Sequence, residues 1–437
     1  MTFPVVKIGL LGLGTVGASV VRILRKNKAE IENKCGYSFE VIIACARDLE
    51  KARECSLDGV VLTTDPLEVV NHPEVEVVVE LIGGTAIALD VLIEAIGKAK
   101  HVVTANKAVI AVHGNELIRT AERNNVFLGF EAAVAGSIPV VKILRESLVA
   151  NSINKIVGIV NGTCNFMLSG MSESGCSFEE VLKEAQTLGY AEANPSFDVD
   201  GIDAGHKLAI LASLAFGTAI QFEKIFIDGI RQVLPVDLVY ANALGYKVKH
   251  LAIAVRSASG VELRVHPTLI PKGHILASID GVLNAVLIDS EETGPIILSG
   301  AGAGGDATAS SVISDLASIA TNLNRTQKIP FADFPARPEI RTGINVLSVE
   351  NISSAYYLRI QALDKPGVLA EISQKLASSE VSIEAIRQQE NRDDDGAVPV
   401  IIITRKTTES AIVNVCKNIA DSDNVCGDIV RYRVENP

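Results

Sequence analysis

Apolar positions in the first third of the chain follow two alternating periods. Short β-branched runs at Val5–Leu11, Glu40–Ala46, Val75–Ile82, His101–Ala105 and Val126–Phe130 read as buried strands. Stretches with helical spacing at Val16–Asn33, Ala86–Ala99 and Ala108–Arg123 fall between them. Strands alternating with helices predict a parallel sheet covered on both faces. From about residue 137 the rhythm changes: a helix over Ile138–Val149 and a strand over Ile153–Val160 lead into further helices. Ser177 and Glu180 have capping-box spacing at the start of one that ends near Gly189. Runs at Lys249–Arg256, Glu262–Leu269 and Gly281–Ile288 read as antiparallel strands. Residues 331–355 are proline-bearing and weakly periodic, which predicts a linker. The last part, 356–437, reads as a self-contained βαββαβ unit, with strands at Tyr356–Leu363, Val381–Gln389, Pro399–Arg405 and Asp428–Val434 and helices at Val368–Ser379 and Thr408–Ala420.

Composition narrows the class. The 437 residues suffice for several domains, at ~150 residues each. A hydrophobic content of 48% predicts filled cores, and a net charge of −12 argues against nucleic-acid and anionic-membrane partners. No apolar run reaches the ~18 residues of a membrane span. The seven cysteines are scattered without a CxxC, which suits a reduced, cytoplasmic protein, and the first strand begins too early to leave room for a signal peptide.

Gly12-Leu13-Gly14-Thr15-Val16-Gly17 follows a predicted strand and opens a predicted helix, the context that gives GxGxxG its meaning as a dinucleotide site. At the end of the next strand, Arg47 with Lys51 favours a 2′-phosphate and hence NADP, while Asp48 leaves NAD open. Thr104-Ala105-Asn106-Lys107 ends the fifth strand of this region, and ligands of such sheets bind at the carboxyl ends of strands. Lys107 is therefore expected near the nicotinamide, or else merely caps the strand.

The densest cluster of chemistry is Gly189–Lys207, GYAEANPSFDVDGIDAGHK. Asp203 and Lys207, four apart, share one face at the mouth of an apolar helix, where a lysine among carboxylates is either a proton donor or half of a buried ion pair. His206 projects about 100° away from its neighbour and drops out as a partner. Asp198 and Asp200 either cap the helix or line a site. Cys164 is read as a packing residue. Glu131, followed by small residues, suits a hard cation held by carbonyl oxygens or a simple turn. Asp364, Pro366 and Gly367 start a helix after a strand, a place for an amino-acid carboxylate.

Together GLGTVG (12–17), TANK (104–107), EAAVAGSIP (131–139), NGTCNF (161–166), the 189–207 segment and GAGAGGDATASSVISDL (300–316) resemble homoserine dehydrogenases over about residues 5–325. The tail, with LDKPGVLAEIS (363–373), resembles an ACT domain, a regulatory module for small amino acids. The resemblance implies an α/β chain of three parts. These are a Rossmann-type domain over 1–136 with a return segment at about 300–330, an α+β substrate and dimerisation domain over 137–300, and a ferredoxin-like ACT domain. It implies reduction of L-aspartate 4-semialdehyde to L-homoserine with NADP or NAD, in threonine and methionine biosynthesis. Lys207 takes the place of the general acid/base and Lys107 that of the second lysine. Glu192 and Asp203 match the acids that hold substrate, with Thr163 or backbone N–H groups left for its carboxylate. Gly189 and Gly305 match positions touching or crossing back to the cofactor. Glu131 with the carbonyls of Val134, Gly136 and Ile138 matches a sodium site. Asp306-Ala307 stands where family members often have a proline. Threonine is the implied effector at the ACT domain, and a homodimer or homotetramer the implied assembly.

Overall fold

The computed structural model describes residues 3–323, 344–388 and 397–437. They divide into two compact units, one of Met1–Gly162, Asp203–Ile225 and Leu283–Ile344, the other of Thr163–Ile202, Phe226–Val282 and Asn345–Pro437. Most of the expected linker lies outside the described residues; its end forms a short 3₁₀ turn at Val349–Asn351.

In the first unit, six parallel strands stand in the order β3-β2-β1-β4-β5-β6. They are β1 (Val5–Leu11), β2 (Ser38–Cys45), β3 (Val61–Thr63), β4 (Val77–Glu80), β5 (His101–Thr104) and β6 (Leu128–Gly129). This is the dinucleotide-binding order, whose direction reverses between β1 and β4 and opens a crevice at their carboxyl ends. The expected helix over 16–33 breaks at Asn27 into Thr15–Lys26 and Lys28–Cys35. Sequence periodicity passed over β3 and the helix Pro66–Asn71, capped by Asp65 with proline in its first turn. Both are too short to establish a period. The expected helix over 138–149 is also cut down. A single turn at Val140–Lys142 loosens into a π turn over Ile143–Ser147, which Leu148 N closes on Ile143 O. Ile153–Ile159, Leu283–Ser290 and Gly294–Ala301 form an antiparallel trio. Gly305–Leu323 then returns beside Thr15–Lys26, and its Ala309, Val312, Leu316 and Ile319 join Ile8, Leu10 and Val20 in the core.

The second unit pairs Tyr246–Ser257 with Gly260–Pro271 as a long hairpin. The capping box at Ser177 is present, with Ser177 N donating to Glu180 Oε2 at 2.8 Å. The tail forms the antiparallel sheet Val430–Val434, Ser353–Leu363, Ala397–Thr404, Ile383–Gln388, with its first strand pairing onto the hairpin at Thr268–Arg433. One face of this sheet (Tyr356, Leu358, Ile360, Val400, Ile402) packs on the tail's own helices, Val368–Ser378 and Glu409–Ala420. The other face (Tyr357, Ile401, Ile403, Tyr432) packs on Phe178, Val181, Leu238 and Tyr240. The βαββαβ pattern is as expected, but the tail is not self-contained. It shares a second core with the rest of its unit.

Candidate active site

β1 turns at Gly12, whose φ of +104° is left-handed, and a side chain there would strike Leu81 O at 2.7 Å. Nothing lies within 4 Å of a side chain placed at Gly14, so a ligand has room to approach the backbone. A side chain at Gly17 would meet Gly12 O at 2.0 Å, so the helix start fits hard against the turn. No side chain caps Thr15–Lys26, which leaves its first N–H groups and the positive end of its dipole for an anion. These residues fit a dinucleotide pyrophosphate.

Arg47 and Lys51 are exposed beyond β2. Asp48 commits Oδ1 to its own turn, accepting from Glu50 N at 3.0 Å and Lys51 N at 3.1 Å. Sequence reasoning missed Arg53. Its guanidinium folds back onto the glycine loop, donating to Leu13 O at 3.3 Å, to Lys51 O at 2.7 Å and to Asp48 O.

At the other side of the crevice, Glu80 ends β4 fully buried. It accepts from Thr104 Oγ1 at 2.6 Å and from Ile82 N at 2.8 Å. Burial pushes its carboxyl pKa up despite these donors. Thr104 Oγ1 in turn accepts from Asn106 N at 2.9 Å, and Asn106 caps the helix Lys107–Asn124 through Val109 N. Lys107 is thus the first residue of a helix whose start is tied to β4. The signal for Glu80 lay in VVVE, a charge closing a buried strand.

Asp203 is 1% exposed and sits between both lysines. Its Oδ2 accepts from Lys207 Nζ at 2.8 Å and from Asn161 Nδ2 at 2.7 Å. Its Oδ1 forms a close ion pair with Lys107 Nζ at 2.6 Å. Lys207 Nζ also donates to Val160 O at 2.6 Å. Burial works against the Asp203 charge, but the two ammonium groups outweigh it and hold the carboxyl well below the usual range. Lys207 therefore forms the buried ion pair that its four-residue spacing from Asp203 allowed. His206, one residue back, turns away against the Phe222 ring at 4.4 Å. Desolvation drives its pKa down to about 4, so it is neutral at pH 7.

Lys107 and Lys207 line a cavity of about 240 Å³ together with Val16, Leu81, Asn106 and Thr308. Gly305 is packed closely in the return segment, where a side chain would meet Ser19 Oγ at 2.6 Å. Neighbouring Asp306 accepts from Ser19 Oγ at 2.8 Å and pairs with Arg22. A cavity beside the glycine loop with a cationic donor in its wall can polarise and protonate a carbonyl oxygen.

The remaining substrate residues lie in the second unit. Glu192 is exposed, its carbonyl accepting from Gln186 Nε2 at 3.1 Å. Gly189 takes a left-handed φ of +77° just past the helix Phe178–Thr187. Thr163 spends its hydroxyl hydrogen on Tyr190 O at 2.7 Å. In this structure the hydroxyl ties down the Tyr190 loop. Asp200 pairs with Arg231, and buried Cys164 points its thiol at Asp198 O, 3.2 Å away.

Glu131 is also 1% exposed. It accepts from Val141 N at 3.0 Å and Lys142 N at 2.8 Å. Burial and then the nearby Asp315 carboxyl push its pKa up to about 7. The backbone reverses at Ala135 and Gly136, both left-handed. Gly136 O accepts from Ser311 Oγ at 2.7 Å and Ile138 O from Val140 N at 2.7 Å, each keeping a lone pair. Two buried carboxyls beside carbonyl oxygens suit a hard monovalent cation in donor type. In the tail, Asp364, Pro366 and Gly367 line a cavity of about 310 Å³ that Gln388, Val398 and Val400 close.

Comparison with known proteins brings these features under one family. The model of the homoserine dehydrogenase NAD-binding domain matches residues 12–131, that of homoserine dehydrogenase 139–317 and that of the ACT domain 356–420. A homoserine dehydrogenase of Pseudomonas aeruginosa is 47% identical over 432 residues, covering 98% of this chain and 99% of that one. The crystal structure of one from Thiobacillus denitrificans superposes with a TM-score of 0.93 at 44% identity, covering 99% of both chains. A hyperthermophilic archaeal homoserine dehydrogenase in complex with NADPH aligns over 71% of this chain and 96% of that one, with a TM-score of 0.59 at 28% identity. The chain belongs to the homoserine dehydrogenases, oxidoreductases that here join a Rossmann-type nucleotide-binding domain to a C-terminal ACT domain.

Proposed function

We propose that the chain reduces L-aspartate 4-semialdehyde to L-homoserine, with NADPH preferred and NADH the alternative, as a step toward threonine and methionine. The observation that supports this most is the Lys107–Asp203–Lys207 bridge, with both lysines in the wall of the cavity beside the glycine loop. The nicotinamide, when bound, supplies a hydride to the carbonyl carbon. Lys207, oriented by Asp203 Oδ2 and Val160 O, donates a proton to the alkoxide as that charge develops. Lys107 adds positive charge at the same oxygen. Asp203 acts mainly through the two lysines, Glu192 takes the substrate ammonium, and Arg47 the 2′-phosphate, with Thr15–Gly17 and Thr104 framing the cofactor.

Steady-state kinetics with both cofactors tests this reading. Lys207→Ala should lower kcat by about 10²–10⁴-fold in protein that remains folded at the assay temperature. Near-full activity in that variant would remove Lys207 from the chemistry.

Sodium at Glu131 and the carbonyls of Val134, Gly136 and Ile138, a homodimer or homotetramer, and a cytoplasmic location belong to the same proposal. All seven cysteines are free, and among the described residues no helix is long and apolar enough to cross a membrane. Threonine is the proposed feedback inhibitor, seated at the Asp364–Gly367 turn. In the full chain Asp364→Ala should abolish threonine inhibition while leaving uninhibited turnover in place. Failure of threonine to inhibit the wild type sinks that part.

A further inference from the structure

A second cavity in the unit that contains the tail has no part in the reading above. It measures about 190 Å³ and lies between the segment Phe226–Gln232, the start of the helix Glu409–Ala420 and the last strand. Its floor is charged and buried. Glu409 is 5% exposed, Arg433 6% and Tyr356 1%. Three donors converge on one oxygen of Glu409: Arg433 Nη2 at 2.7 Å, Arg433 Nε at 3.1 Å and Tyr356 Oη at 2.7 Å, all to Oε2. The guanidinium carbon of Arg433 lies 4.7 Å from the centre of the Phe226 ring, which fixes its plane.

All three of these donors go to Oε2, while Oε1 faces Arg431 Nε at 3.7 Å, beyond hydrogen-bond range; Arg433 gives Nε and Nη2 to Glu409. Arg431 and Asp228 complete the lining from the rim. Asp228 is exposed as a residue, yet desolvation pushes its carboxyl pKa up, as for a group turned toward a partly closed space. Burying an ion pair is costly, and a ligand that adds charge-assisted hydrogen bonds to it offsets part of that cost.

Charge selects the ligand class. Two cations (Arg431, Arg433) face three anions (Asp228, Glu409, Asp428), so a phosphate or other simple anion meets net repulsion. A molecule carrying both a carboxylate and an ammonium satisfies both sets. The volume is below the ~300 Å³ at which drug-sized sites begin and suits a single amino acid. We propose that this cavity binds a free amino acid, its carboxylate on Arg431 and Arg433 Nη1 and its ammonium on Glu409 Oε1 and Asp228. The site is separate from the Asp364–Gly367 turn. Tyr356 and Asp364 stand near opposite ends of the strand Ser353–Leu363, roughly 25 Å apart at ~3.3 Å per residue.

The test is calorimetric titration of the full chain with L-alanine, L-threonine, L-lysine and L-glutamate, with inorganic phosphate as the anion arm. At least one amino acid should bind, and Arg431→Ala and Asp228→Asn should each weaken that binding by about tenfold or more. Arg431 is 41% exposed, so its loss does not threaten the fold. Asp364→Ala should leave this binding intact, which separates it from any event at the turn. The proposal is overturned if no amino acid binds at up to about 10 mM. It is equally overturned if binding survives both rim substitutions or is lost only in Asp364→Ala, or if phosphate binds in preference.

Discussion

Asp203 and Glu131 are carboxyls of the same unit, each 1% exposed, and they have opposite electrostatic fates. Asp203 has an ammonium on either oxygen and is held ionised. Glu131 has two backbone N–H groups and a second carboxyl nearby, and its pKa climbs to about 7. Burial is common to both, so depth does not decide the charge state. The sign of the nearest full charges does. The first arrangement holds two lysine side chains beside a cavity. The second sets two buried carboxyls with raised pKa values side by side.

The largest expected effect comes from breaking the first arrangement. Asp203→Asn leaves buried Lys207 without its counter-ion and should cost about 3–5 kcal/mol of stability. Turnover should fall by about 10²-fold or more as both lysines lose their orientation. Chemical denaturation alongside kcat checks both, and unchanged turnover would reduce Asp203 to scaffolding.

Glu131→Gln sharpens the other side. A folded pKa of about 7 above an unfolded 4.5 means that stability is full below the unfolded value and drains away as pH rises toward 7. In sodium-free buffer at pH 8 the variant should be more stable than the wild type, on the order of 2–3 kcal/mol. Sodium chloride in place of choline chloride should close that gap by stabilising the wild type. A wild type with no slope between pH 5 and 8 and no response to sodium would contradict both points.

The smallest effect is at His206, the neutral neighbour of the bridge. Its folded pKa of about 4 lies below the unfolded 6.5, so its contribution is complete above about 6.5 and is lost as pH falls toward 4. At pH 5.5 this is about 1.4 kcal/mol. His206→Gln should flatten that part of the acid limb, with kcat at pH 7.5 largely retained.

Much of the site was legible because local rules governed it. Gly12, Gly14 and Gly17 each answer a separate backbone requirement, and helical spacing alone put Asp203 beside Lys207. The strand-end rule placed Lys107 at the crevice. Its pairing with Asp203 was not legible, since a contact between residues so distant in sequence carries no period. Asn161 and Arg53 were missed for the same reason, as their partners are a distant carboxylate and a backbone carbonyl. In the fold, β3 and Pro66–Asn71 were too short to show a pattern, and the π turn at Ile143–Ser147 had none. The tail taught a different lesson. The strand Ala397–Thr404 is apolar without alternation and buried at every position, which signals two covered faces. That signal is present in AVPVIIIT, whereas a βαββαβ count alone implies only one covered face.

The doubly covered strand also limits what can be engineered. Cutting the chain before Ser353 to remove the ACT domain would uncover Phe178, Val181, Leu238 and Tyr240, until then roofed by Tyr357, Ile401, Ile403 and Tyr432. A contiguous bare patch of that kind invites self-association. Single substitutions at the Asp364–Gly367 turn leave that core closed, so they separate the tail's role from its packing where deletion does not.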